Sequence, residues 1–291
     1  MKKILVPVDF SDHTNVTAQY AIELAIANNA EIKLLHCYHD QFLIGAGAFP
    51  DTITTQAVMD VQMLMEVRIL AETNMSLLLK TVTNMAISAG KTDLVIITEL
   101  VAGDPDVEIK RVCATYMPDI IIIGAVGKGE KNHFSGSTAE RLIKNVQVPV
   151  LAIPVGSTFK GFNNVLFATD MGSVEYGEVK GLLDFLKPFG SSVHFVHLHF
   201  ESNDEISATA IRNLKERLGF DKTTSLVFFD IFQCADPRSG FHEMVQQIKP
   251  EIIVFQAYRR SFFYGWFKPA LQAKDLYLAN RPLLALPHKG E

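Results

Sequence analysis

Cysteine is scarce in this chain. Cys37, Cys113 and Cys234 are odd in number, far apart and never in a C-x-x-C arrangement. A disulfide framework is therefore not expected, and the three read as small, largely buried hydrophobes in a reducing compartment. An excess of basic charge is missing as well. Lys and Arg number 27 against 32 Asp and Glu, for a net charge of -5. No basic patch marks a nucleic-acid surface, and a mildly acidic surface favours solubility. Long apolar runs are also lacking, so no segment reads as a membrane span. The N-terminal run Ile4-Leu5-Val6-Pro7-Val8 stops at Asp9, too short for the apolar part of a signal peptide. The expectation is a cytoplasmic protein with neither membrane nor nucleic acid as partner.

What is present is a repeat. The chain has 291 residues, 48% apolar and 20% charged, enough for two cores. The run Ile4-Leu5-Val6-Pro7-Val8-Asp9-Phe10-Ser11 matches Val165-Leu166-Phe167-Ala168-Thr169-Asp170-Met171-Gly172. Each precedes a helical pattern: Ala18, Ala21, Ile22 and Ala25 in one half, Val179, Leu182, Leu183 and Leu186 in the other. Ser11 or Asp12 is the expected cap of the first helix and Ser173 of the second.

The second strands also align, Glu31 to Cys37 with Ser192 to Leu198, placing His36 opposite His197. Gly103-Asp104-Pro105 matches Ala235-Asp236-Pro237, each closing a strand-like run and opening a helix with Asp as cap and Pro at the first turn. Pro118-Asp119 before Ile120 to Ile123 matches Pro250-Glu251 before Ile252 to Val254. The last strands run from Val148 to Pro154 and from Arg281 to Pro287. Two copies at a domain-sized period mean duplicated domains, 1–155 and 161–291, with a short flexible linker near Val155 to Gly161. Apolar strands alternating with helices predict a parallel sheet covered on both faces, with ligands beyond the carboxyl ends of the strands.

One difference stands out. The first half follows its fourth strand with Gly124-x2-Gly127-x8-Gly136-Ser137, then the helical stretch Thr138 to Lys144. Gly124 permits a tight turn and Gly127 a close backbone approach to phosphate. Amides at the helix start form an anion site, with hydroxyls from Ser135, Ser137 and Thr138. The plainer reading is a shaped loop with Ser137 as a helix cap. The loop holds no Gly-Lys-Ser/Thr tripeptide and no G-x-G-x-x-G, which excludes the two commonest phosphate signatures. In the second half Gln256, Tyr258 and Arg259 stand where glycines are expected, and the aromatic run Phe262 to Phe267 follows.

Asp9 ends the first strand at the crevice. Its carboxylate is suited either to an adenine amino group or ribose hydroxyl, or to an Asx-turn between strand and helix. His36 and His197 lie in apolar strands, where a histidine bonded to backbone or water is the simpler reading. No catalytic pairing is visible from spacing. The first half also carries a stretch from Asp40 to Met59, rich in Gly, Ala and Thr, before a long helix through Met63, Leu64, Ile69 and Leu70.

Taken in order, these pieces resemble a tandem universal stress protein, over nearly the whole chain. The matching segments are Ile4 to Ser11, Gly103-Asp104-Pro105, Pro118 to Gly124, the glycine loop and Val148 to Pro154. The resemblance implies two tandem, doubly wound, five-stranded parallel α/β domains of the adenine-nucleotide α-hydrolase type, which is Rossmann-like. It implies that their last strands pair as an intramolecular pseudo-dimer. It also implies ATP, alone or with Mg2+, as ligand. Gly124, Gly127, Gly136, Ser137 and Thr138 would hold ribose and phosphates. Asp9 would lie by the adenosine, and the Cys37 backbone would contact adenine. The second gap of the loop has eight residues where ATP-binding members have nine, a departure that bears on the Ser137 amide. The implied function is a stress-response sensor or regulator, acting through binding and through a protein partner or homo-oligomer. The alternatives are a nucleotide-free scaffold and a slow ATPase or phosphotransferase.

Overall fold

The structure is a computed structural model, and it describes residues 1–38, 55–125, 138–169, 176–199, 226–234, 237–257 and 280–287, with residues 209, 212, 213, 215 and 216. By its contacts the chain divides into two compact units, residues 2–122 and residues 123–291 with Met1.

The first unit is built as β1 (Lys3–Pro7), α1 (His13–Asn28), β2 (Glu31–Tyr38), α2 (Thr55–Ser88), β3 (Ile96–Ala102) and α3 (Pro105–Tyr116). The strand β4 (Ile120–Gly124) runs up to and across the unit boundary. Strand order is β3-β2-β1-β4, all parallel. Ile4 sits opposite both Ile32 and Ile120, and Leu5 opposite Lys33 and Ile121. Parallel strands covered on both faces require apolar residues at successive positions, not alternate ones. Accordingly Ile4, Leu5 and Val6 are fully buried, and Ile120 to Ile123 are buried. Each such side chain contributes about 1.5–3 kcal/mol of transfer free energy. Helix α1 buries the predicted Ala18, Ala21, Ile22 and Ala25. It ends on Asn29 in the left-handed region, whose N–H reaches back to the carbonyls of Ala25 and Ile26.

The second unit contains α4 (Thr138–Asn145), β5 (Val150–Ile153), β6 (Asn164–Ala168), α5 (Tyr176–Leu186), β7 (Ser192–His199), β8 (Val227–Gln233), α6 (Pro237–Ile248), β9 (Ile252–Ala257) and β10 (Leu283–Pro287). Its order is β5-β10-β9-β6-β7-β8. All neighbours are parallel except β5 and β10, which are antiparallel with Leu284 opposite Leu151. The order β8-β7-β6-β9 repeats β3-β2-β1-β4 strand for strand. The antiparallel join unites the last strands of the two repeats, as the resemblance implies.

Residues 155–161 are less free than a bare linker. Phe159 packs edge-on against Phe162 at 5.3 Å, and Phe162, fully buried, lies 5.2 Å from Phe189 beyond the end of α5. Gly156 and Gly161 adopt φ values of 77° and 87°. Those left-handed turns let the chain double back onto the aromatic cluster. Of the stretch from Asp40 to Met59, residues 40–54 lie outside the described residues and Thr55 to Met59 already belong to α2; Tyr258, Arg259 and the aromatic run Phe262 to Phe267 also lie outside them.

Candidate functional site

Loops that follow the carboxyl ends of parallel strands gather where the strands stop, and Asp9 lies just past β1. Its Oδ1 accepts from the Ser11 amide at 3.0 Å, the Ser11 hydroxyl at 2.6 Å and the Thr14 hydroxyl at 3.2 Å. Among the described residues, every hydrogen bond to this carboxylate falls on Oδ1. Burial alone would push the Asp9 carboxyl up, but the Ser11 hydroxyl, the Ser11 amide and the Thr14 hydroxyl outweigh it and hold it below its ordinary value. Asp9 is therefore a half-buried anion with one oxygen engaged in a turn.

This arrangement corrects the expected helix cap. Neither Ser11 nor Asp12 caps α1 through its side chain: Asp12 makes no such bond and Ser11 donates its hydroxyl to Asp9. The cause is local. An acceptor two residues upstream of the Ser11 amide closes an Asx-turn and takes the hydroxyl for itself. The turn reading of Asp9 is thus present in the structure, on one oxygen only.

A second feature has no sequence signature. Phe10, immediately after Asp9, has φ 56°, a left-handed backbone that bulky side chains rarely adopt. Its ring lies 4.2 Å from the His36 ring. His36 in turn donates Nδ1–H to the carbonyl of Val8 at 2.7 Å, since a carbonyl only accepts. The strand end, the turn and β2 are therefore bound together by Phe10 and His36. The strain at Phe10, of order 1–2 kcal/mol, is held by the turn at Asp9 and the contact on His36.

Cys37 sits next along β2, opposite Val101 of β3. Burial, then the nearby Glu108 and Asp104 carboxylates, push its thiol up to about 12. Burial alone raises Cys113 to about 11. Both stay protonated and neither is a nucleophile at neutral pH. Past β3, Gly103 (φ 143°) donates its N–H to the Tyr38 carbonyl at 2.9 Å. A Cβ at Gly103 would meet Glu108 Cγ at 3.0 Å. Asp104 caps α3 through the Asp106 amide at 2.9 Å, with Pro105 in the first turn, as expected. Glu108 also holds Arg111 at 2.7 Å.

Of the predicted nucleotide residues, Asp9 and Cys37 fall at the carboxyl ends of the neighbouring strands β1 and β2. Gly124 closes β4 and Thr138 opens α4, where its Oγ1 accepts from Arg141 at 3.2 Å. Gly127, Gly136 and Ser137 lie outside the described residues, as does Asp170. Gln256 is buried within β9. Among the described residues no three His, Cys, Asp or Glu side chains gather as a metal ion would need. No helix there is long and apolar enough to cross a membrane.

Comparison with known proteins bears on this geometry. The model of the universal stress protein family matches residues 1–154. A universal stress protein of Methanocaldococcus jannaschii is 31% identical over 153 residues, covering 52% of this chain and 81% of the relative. A solved universal stress protein from Archaeoglobus fulgidus aligns with a TM-score of 0.68 at 16% identity, covering 98% of this chain and 96% of that one. A protein of Pseudomonas aeruginosa PAO1 described as functionally unknown aligns with a TM-score of 0.58 at 15% identity, covering 99% and 92%. At those identities the two structures speak for the fold.

Proposed function

This chain belongs to the universal stress protein family, and from that premise we propose that its first half binds an adenine nucleotide, ATP above all, and works as a stress-response sensor or regulator through binding rather than turnover. The observation that carries the reading is the state of Asp9. It is ionised, it stands at the carboxyl end of β1, and its hydrogen bonds among the described residues use Oδ1 alone. Oδ2 is the atom suited to accept from a ribose hydroxyl or an adenine amino group. The Cys37 backbone, one strand over, would line the base. Gly124, Gly127, Gly136, Ser137 and Thr138 would hold ribose and phosphates through backbone amides and hydroxyls. Mg2+, where bound, would be carried on the phosphates. The ligand supplies negative charge and hydrogen-bond acceptors, and this chain supplies the donors and the carboxylate that orient it.

A chain whose loop is ordered by a bound nucleotide presents a different surface from the same chain without it, and a partner that distinguishes the two reads the nucleotide level. The raised thiols of Cys37 and Cys113 stay protonated and offer no nucleophile, which favours binding over turnover.

The test is direct. Freshly purified protein is denatured and the supernatant chromatographed for nucleotide, before and after soaking with ATP. Recovered ATP is the expected result, and Gly127→Trp should reduce recovery at least tenfold while the chain stays folded. No nucleotide after soaking would overturn the reading in favour of a scaffold. ADP with measurable turnover would replace it with a slow ATPase.

A further inference from the structure

Helix α2 is 34 residues long and carries two apolar stripes where a surface helix needs one. The first faces the core through Ala71, Met75, Leu78, Val82 and Ala86, all buried. The second consists of Met63, Leu70 and Leu77, at strict seven-residue spacing, with Ile87 further along. These four are 51%, 61%, 57% and 49% exposed. The same exposed face carries Glu66, Thr73 and Lys80, also seven apart and three residues after each apolar position. Two interleaved series at offsets of three and seven run along one stripe with the spacing of a coiled-coil seam; the first is apolar, and the second is polar until Ile87, seven residues after Lys80.

We propose that this stripe is the contact between two copies of the chain, which pair their α2 helices antiparallel. The seam from Met63 to Ile87 is about 36 Å long at 1.5 Å per residue, long enough for three heptads. Charge fixes the direction. Parallel helices in register would set Glu66 against Glu66 and Lys80 against Lys80. Antiparallel helices overlapped at their ends bring Met63 opposite the partner's Ile87, and Glu66 within one turn of the partner's Lys80. By two-fold symmetry each of these contacts occurs twice. Leu70 then lies along the aliphatic stem of the partner's Lys80, and Leu77 against the partner's Thr73. The charge pattern is complementary to itself, and a second copy of this chain is the partner that such a pattern fits. Arg68 and Glu72, on the flank, already pair within the helix at 2.8 Å and are not needed for the seam. This contact is separate from the β5–β10 join, which is satisfied inside one chain, and it does not rest on nucleotide binding.

Sedimentation equilibrium of the full-length chain over a concentration series tests it. The wild type should dimerise. Glu66→Lys and Lys80→Glu should each weaken the dimer about tenfold, because each turns two attractions into two repulsions. The double reversal should restore it, and Leu70→Glu should leave monomer. Circular dichroism melting of every variant checks that the fold is kept. A wild type that stays monomeric at all concentrations overturns the proposal, and so does a dimer indifferent to the single reversals. A double reversal as weak as either single variant also overturns it, since charge would then not set the register.

Discussion

The two halves of this chain are bonded alike where the fold needs them to be and differ where a ligand would. Asp119 takes the amides of Lys2 and Lys3 on one carboxylate oxygen at 2.6 and 2.9 Å, and its own amide returns to the Lys3 carbonyl at 2.9 Å. In the second half Glu251 takes the Asn164 amide at 2.6 Å and its amide returns to the Asn164 carbonyl at 2.9 Å. His36 binds the Val8 carbonyl at 2.7 Å, and His197 binds the Thr169 carbonyl at 3.1 Å. The repeated Pro-acid and strand-histidine motifs thus start β1 and β6 and tie the ends of β1 and β6 to β2 and β7. They describe the scaffold. What the second half does not repeat is the run of glycines after its fourth strand, and those unshared residues are what would set a ligand-binding half apart from a scaffold half.

The largest effect on that comparison should come from Asp9, which holds the turn after β1 and carries the proposed ligand contact. Asp9→Ala removes three hydrogen bonds from the turn between β1 and α1. Discounted for partial exposure, the loss should be about 2 kcal/mol, measured by urea unfolding. Asp9→Asn keeps an acceptor on the turn and should recover roughly half. The sign of the pH dependence follows from the lowered carboxyl. Stability from Asp9 is complete above its ordinary value of 3.8 and is lost as the pH falls through the folded value. Unfolding between pH 5 and pH 2 should therefore be shallower in Asp9→Asn. A variant as acid-sensitive as the wild type would show that Asp9 is not held by the turn.

Much of the fold was legible because the strands speak through composition. Four consecutive isoleucines at 120–123 admit almost no reading except a strand covered on both faces, and α1 shows its buried face through Ala18, Ala21, Ile22 and Ala25. The predicted Asp104 cap held because Asp-Pro at a helix start leaves little choice. The same rule failed at Ser11, since a competing acceptor stood two residues away and capping rules treat one residue at a time. Phe10 was illegible for a different reason. Nothing in an aromatic side chain announces a left-handed backbone, and the strain is sustained by a turn and a ring that meet only in three dimensions. The strand pattern placed Asp9 and Cys37 at the carboxyl ends of β1 and β2. The division of labour between the two oxygens of Asp9 was not legible, because it depends on where Ser11 and Thr14 point.

A smaller effect separates the two scaffold carboxylates. Asp119 holds two neighbouring amides and Glu251 one, so Asp119→Ala should cost about 1.5 kcal/mol and Glu251→Ala about 1 kcal/mol. Both should leave nucleotide content unchanged. If either variant lost nucleotide while remaining folded, the separation of scaffold from ligand residues would fail at that position.

The smallest effect lies on β2–β3 and β7–β8, where the halves solve one problem with different chemistry. Lys33 of β2 binds Glu99 of β3 at 2.7 Å, and at the matching positions His194 of β7 binds Asp230 of β8 at 3.0 Å. The pairs are diagonal in both: Ile97 lies directly opposite Lys33 and Phe228 opposite His194, and the acid follows two residues on. The first pair is a fixed ion pair, whose lysine also sits 4.5 Å over the Tyr116 ring. The second is an ion pair only while His194 is protonated, and its ring stacks on Phe228 at 4.7 Å whatever its charge. Glu99→Gln should cost about 0.5–1 kcal/mol at every pH where lysine and glutamate are both charged. Asp230→Asn should cost less than about 0.5 kcal/mol, because the stack of His194 on Phe228 survives the change. Urea unfolding of both variants checks this. A loss in Asp230→Asn as large as that in Glu99→Gln would mean that Asp230, and not stacking on Phe228, holds His194 in place.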